Sequence, residues 1–110
     1  MLTSTLASAK IVTSEMVFVE VLNAFSKRGS FLRKAAITLI KGSARNPNVE
    51  VILQTSKLFN IALDLYSQRL DQSWSHSDCT SFCIMQQRNI LDALAYDRHF
   101  EQAGFIALLR

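Results

Sequence analysis

Glycine, proline and cysteine are all scarce in this chain: three glycines, one proline and two cysteines in 110 residues. So few glycines exclude a phosphate-cradling loop, and no G-x-S-x-G nucleophile elbow is present. Two cysteines four positions apart, Cys79 and Cys83, make no disulfide framework. They are expected to be reduced core thiols, which agrees with a cytoplasmic setting. No apolar run reaches the about 18 residues that span a bilayer. The first ten residues, rich in Ser, Thr and Ala, lack the basic start and apolar block of a secretory signal. No internal repeat or linker divides the chain, so a single domain over residues 1–110 is expected.

Hydrophobic residues make up 49% and charged residues 19%, enough apolar material for a packed core. Acidic residues are absent from Val21 to Val49, where Lys27, Arg28, Arg33, Lys34, Lys41 and Arg45 all fall. The net charge of +3 therefore hides a strongly basic block within a chain that is otherwise net acidic. Such a block suits a polyanion such as RNA, or is simply a solvated helix face.

Hydrophobic patterning predicts alternating strands and helices. Ile11-Val12 reads as a short strand running into Thr13-Ser14, with Ser14 capping a helix to about Lys27. Gly29 is a natural stop. A second helix from about Ser30 would turn Leu32, Ala35, Ala36, Leu39 and Ile40 inward, before a turn at Asn46-Pro47-Asn48. Val49 to Leu53 is a β-branched strand candidate. Thr55 or Ser56 would cap a helix with Leu58, Phe59, Ala62, Leu63 and Tyr66 on its inner face. Ser75 would start a helix to about Arg88, closed near Asn89. Strands around 91–96 and 105–109, with a turn or short helix between, complete an α/β pattern. A mostly parallel sheet with helices on its faces follows, with ligands expected beyond the C-terminal ends of its strands.

Three carboxylates draw attention, each with an ordinary structural explanation beside it. Glu20 interrupts the apolar helix Met16-Val17-Phe18-Val19-Glu20-Val21-Leu22, a pattern that predicts a largely buried helix. A buried carboxylate is costly unless paired or metal-bound; alternatively, Glu20 and Asn23 form a stripe facing solvent. Asp78 follows Ser75 by three positions, the outline of a capping box. Asp97 closes a strand, as a turn-former or as a metal ligand. His76, Cys79 and Cys83 share a helical face, but they lack the ligand spacing of a zinc site.

Together these segments resemble a family. Val12-Thr13-Ser14-Glu15-Met16-Val17-Phe18-Val19-Glu20-Val21-Leu22-Asn23 is similar to the second acidic motif of PIN domains, the family that includes VapC-type toxin ribonucleases. Trp74-Ser75-His76-Ser77-Asp78-Cys79-Thr80-Ser81-Phe82 resembles the third. Ala93-Leu94-Ala95-Tyr96-Asp97-Arg98-His99-Phe100-Glu101-Gln102-Ala103-Gly104-Phe105 resembles the fourth. The resemblance implies a PIN-like α/β fold, a partial parallel sheet flanked by helices, lacking the first strand and helix. It implies an endoribonuclease dependent on Mg²⁺ or Mn²⁺, with Glu20, Asp78 and Asp97 as metal-site acids and Asn23 and Ser77 as supporting polar groups. Oxygen donors suit such hard cations. Lys27, Arg28, Arg33 and Lys34 are the candidate RNA contacts. The implied partners are RNA, an antitoxin protein and a second copy of the chain, with no membrane.

The pattern departs from the family at its start. PIN domains open with a strand ending in Asp, and nothing in Met1 to Thr13 supplies that acid. In-frame upstream DNA is expected to encode such a strand, and the 110-residue chain alone is expected to show little or no RNase activity. The alternative is an inactive remnant that binds RNA or a protein partner.

Overall fold

The computed structural model describes residues 2–3, 11–93, 103 and 106–107. Strand β1 is Leu2–Thr3 and β2 is Ile11–Ser14; helices α1, Glu15–Phe25, and α2, Gly29–Arg45, follow. Then come β3, Val49–Ile52; α3, Ser56–Gln68; α4, His76–Gln87; β4, Asp92–Ala93; and β5, Ile106–Ala107. The sheet order is β3-β2-β1-β4-β5. The β2–β3 and β4–β5 pairs are parallel, as expected of an α/β chain. At the centre the fold is mixed: β1 lies between β2 and β4 and runs antiparallel to both. Flanking strands with unpaired backbone N–H and C=O groups can be satisfied by backbone of either direction. Among the described residues no helix is long and apolar enough to cross a membrane.

Local sequence accounts for most element boundaries. Ile11, Val12 and Thr13 are β-branched and favour extended backbone. Their strand ends at Ser14, whose hydroxyl accepts the Val17 N–H at 3.3 Å and starts α1. Gly29 sits at φ +89°, a backbone region favouring glycine, and turns the chain from α1 into α2. At the far end of α2, the Asn46 side chain accepts the Asn48 N–H at 2.8 Å. Thr55 caps α3 by accepting the Leu58 N–H at 3.1 Å. Asn89, at φ 56°, closes α4.

The core lies between one face of the sheet and the α3–α4 pair. Val12 joins Leu58, Ala62, Trp74, Phe82, Ile84, Met85 and Ile90 there, with Ile52 packed against them. Val12 lies beside Glu50 and Ser14 beside Ile52 in register, so these residues share a face. Helix α4 is the centre of the molecule: Cys79 through Met85 are all buried in one unbroken run. Phe82 meets Trp74 edge-on, with ring centroids 5.0 Å apart.

Three expectations about helix faces are corrected. Helix α1 has no buried residue, although its composition predicted a largely buried helix. An all-apolar pattern states what a helix could bury, whereas exposure depends on its neighbours; Val19 and Leu22 remain substantially exposed. On α3 Leu58 and Ala62 are buried as expected, with Ile61 and Leu65 partly buried beside them, while Phe59, Leu63 and Tyr66 are exposed. On α2 the inward residues are Leu32, Ala36 and Ile40, while Ala35 and Leu39 face outward. The α2 stripe is narrower than predicted, and the α3 stripe is rotated toward Ile61 and Leu65, because the neighbouring elements decide which side of a helix is covered.

Cys79 and Cys83 are free and buried. Burial pushes both thiols above their ordinary range, and for Cys79 the nearby Cys83 and Asp78 add to the rise. With dithionitrobenzoate near pH 8, both should react slowly in the native chain and at once in denaturant; immediate native reaction would contradict the burial. Because the folded thiols hold their protons more tightly, their contribution to stability is complete below the ordinary thiol range. It is lost as pH rises through the higher folded values. A Cys79→Ala, Cys83→Ala variant should therefore lose less stability between neutral and strongly alkaline pH than the parent chain.

Candidate functional site

The C-terminal end of β2 leads without a loop into α1, and Glu15, the first residue of α1, reaches across to the neighbouring strand connection. Its Oε1 accepts the Gln54 backbone N–H at 2.7 Å. This bond ties the start of α1 to the segment between β3 and α3. The strand ends, where α/β sheets place ligands, are thereby fixed relative to one another. Acidic character in a first helical turn is visible in sequence, but a partner 39 positions away is not.

Glu20 lies one turn further along α1 and is exposed, as is Asn23. Asp78 stands in the first turn of α4. Its Oδ2 accepts the Ser75 N–H at 3.1 Å, while the Ser75 hydroxyl accepts the Asp78 N–H at 3.0 Å. The capping box anticipated from sequence is therefore formed. It holds the carboxylate at the positive end of the helix dipole. Ser77 beside it is half-buried. Helices α1 and α4 contact one another, so the Glu20-bearing and Asp78-bearing elements are neighbours. Asp97 and His99 lie outside the described residues. Among the described residues no three metal-ligating side chains form a group.

Two buried polar groups stand near these strand ends without a hydrogen-bond partner among the described residues. They are the Thr13 hydroxyl on β2 and the side-chain amide of Gln54. Thr13 stands at the strand end to which the sequence directs attention, whereas Gln54 was absent from the sequence-based candidates, because glutamine in a loop carries no signal of burial. On the opposite flank, Arg88 at the end of α4 grips Glu50 of β3 through two bonds of 2.7 and 2.6 Å. The hydrogen bond to Glu50 raises the Arg88 pKa further. This pair locks the outer strand to α4 beside an open cleft of about 550 Å³ lined by Ile52, Thr55, Lys57, Ile61 and Ile84.

The remaining candidates divide by environment. Arg33 donates to the Ser26 carbonyl at 2.9 Å, and the Arg28 guanidinium lies 6.0 Å over the Phe25 ring. Both help shape the α1–α2 turn. Lys27 and Lys34 are exposed. His76 is held by Phe59, with ring centroids 4.4 Å apart and its Nε2 3.0 Å from the Phe59 carbonyl oxygen.

No family model matches the chain, and no curated protein matches it by sequence. Among solved structures, it is similar to VapC20 of Mycobacterium tuberculosis, described as a Sarcin-Ricin loop cleaving toxin. The match has a TM-score of 0.78 at 27% identity, covering 91% of this chain and 75% of VapC20. The helix α1 that follows β2 directly and carries Glu20 and Asn23, and Asp78 in the first turn of α4, agree with the motifs that carried the resemblance. The chain therefore has a VapC-like PIN-domain fold.

Proposed function

We propose that the chain acts on RNA as a PIN-type endoribonuclease, with Glu20, Asp78 and Asp97 forming a site for Mg²⁺ or Mn²⁺ beyond the strand ends. The observation that carries this reading is the contact between α1 and α4, which makes neighbours of the helices bearing Glu20 and Asp78. It is supported by the likeness to a toxin that cleaves the Sarcin-Ricin loop. The donor chemistry fits: carboxylate oxygens are the ligands hard divalent cations select. Bound there, the metal would polarise a phosphate and lower the pKa of a water.

The protein's own groups have separate tasks. The capping box orients Asp78. Glu20 extends from an exposed helix surface toward solvent, where a polyanion can approach. Asn23 and Ser77 supply polar contacts around the two acids. The Glu15–Gln54 bond keeps the two strand connections in place. Within the same reading, an antitoxin protein and a second copy of the chain are partners, and the buried thiols suit the reducing cytoplasm.

The test is RNA cleavage by the purified chain, and by a form extended with the strand expected upstream, with Mg²⁺, with Mn²⁺ and with a chelator. Cleavage that requires either ion supports the proposal. RNA binding without cleavage by either form in any metal would instead assign a non-catalytic RNA-binding module. That second reading is favoured by the engagement of Asp78 Oδ2 in the helix cap.

A further inference from the structure

The outer surface of α2 combines charge and aromaticity in a single stripe. Phe31, Lys34, Thr38, Lys41 and Arg45 recur at intervals of three, four, three and four residues, the spacing of one helical face. All five are exposed, and Phe31 is 82% exposed. The opposite side, Leu32, Ala36 and Ile40, faces the protein. At 1.5 Å per residue the stripe runs about 21 Å. Lys34, Lys41 and Arg45 have no ion-pair partner among the described residues. No acidic residue occurs anywhere from Val21 to Val49 to neutralise them.

We propose that this face of α2 holds single-stranded RNA, with Phe31 stacking on a base and Lys34, Lys41 and Arg45 following the phosphates. The inference rests on the RNA-acting reading above and extends it to a surface outside the acidic site. Charge complementarity selects a polyanion. One aromatic residue among three cations offers too little apolar area for the dry centre of a protein interface. The same combination is what sequence-tolerant single-strand binding uses: an aromatic platform for a base and a cationic track for the backbone. Thr38, between the cations, adds a hydroxyl that can donate to a phosphate oxygen. Helix α2 packs against α1, the helix that bears Glu20, so RNA held on α2 is bound by the element adjoining the proposed site.

The experiment is fluorescence anisotropy of the full chain with a labelled single-stranded RNA of mixed sequence, in chelator to prevent cleavage, across a salt series. Phe31→Ala is expected to weaken binding roughly 5- to 100-fold with little change in salt dependence. The triple variant Lys34→Gln, Lys41→Gln, Arg45→Gln is expected to flatten the slope of log K against log salt by about 2. All four positions are exposed, and unchanged thermal melting of each variant verifies that the fold is retained. Absent RNA binding by the parent chain, or unchanged binding by both variants, overturns the proposal. Tighter binding of poly-glutamate or duplex RNA than of the single strand also overturns it. Failure of the cleavage assay together with these variant effects would remove the catalytic reading and leave the α2 surface standing. Metal-dependent cleavage with unaffected variants would do the reverse.

Discussion

In a form extended by the strand expected upstream, Asp78→Asn is expected to lower metal-dependent RNA cleavage by about 100-fold or more while leaving the fold nearly as stable as before. Removing one preorganised electrostatic group from a reaction centre typically costs about 10²–10³ in rate. Here the loss would be of the charge on a carboxylate proposed to hold the ion. The stability side follows from the cap. Asp78 Oδ2 accepts the Ser75 N–H, and the Asp78 N–H is held by the Ser75 hydroxyl. Asparagine keeps a carbonyl oxygen that can accept the same N–H, and its backbone donor is unchanged. Only the favourable meeting of a negative charge with the helix N-terminus disappears, about 0.3–1 kcal/mol. Asp78→Ala is the companion variant, because it removes both charge and acceptor. It should match Asp78→Asn in rate and fall below it in urea midpoint. Equal cleavage by the extended form and its Asp78→Asn variant, with contaminating nucleases excluded, would sink the catalytic assignment of this residue and leave it as a cap.

Phe82→Ala is expected to cost about 3–5 kcal/mol of folding stability. Phe82 is wholly buried at the centre of α4 and meets Trp74 edge-on. Its truncation loses the transfer energy of the ring, the aromatic contact and the packing of the cavity left behind. Domains of this size have only about 5–15 kcal/mol to lose, so the variant would approach unfolding at moderate temperature. Urea titration by circular dichroism measures the effect, with Leu63→Ala on the exposed side of α3 as the comparison, expected to change stability far less. A Phe82→Ala loss under about 1 kcal/mol would show that α4 is not the centre of the core. Should Phe82→Ala fail to fold, Phe82→Leu provides the smaller step along the same scale.

Helix α4 also shows where sequence reading reached its limit. Its boundaries were legible, because Ser75 and Asp78 are cap residues at the right spacing and Asn89 tolerates the left-handed conformation. Its position at the centre was not. The segment His76-Ser77-Asp78-Cys79-Thr80-Ser81-Phe82-Cys83 reads as mixed and only weakly amphipathic, yet everything from Cys79 to Met85 is buried. Small side chains allow close approach on all sides, and Thr80 satisfies its hydroxyl internally by donating to the His76 carbonyl at 3.0 Å. Helix α1 is the converse case. It is nearly all apolar in sequence but has no buried residue, because burial requires neighbours as well as composition.

The sequence by itself determined the alternation of strands and helices, the caps at Ser14 and Ser75 and one at Thr55 or Ser56, the turn at Asn46, and the two acid-bearing motifs around Glu20 and Asp78. These are local matters of backbone preference and hydrogen bonding within a few residues. Only the tertiary structure decided which stripe of α2 and α3 is buried and which strand fills the centre of the sheet. It also decided that Glu15 is joined to Gln54 and Glu50 to Arg88. Each of those outcomes depends on contacts between residues distant along the chain, which hydrophobic periodicity constrains but does not specify.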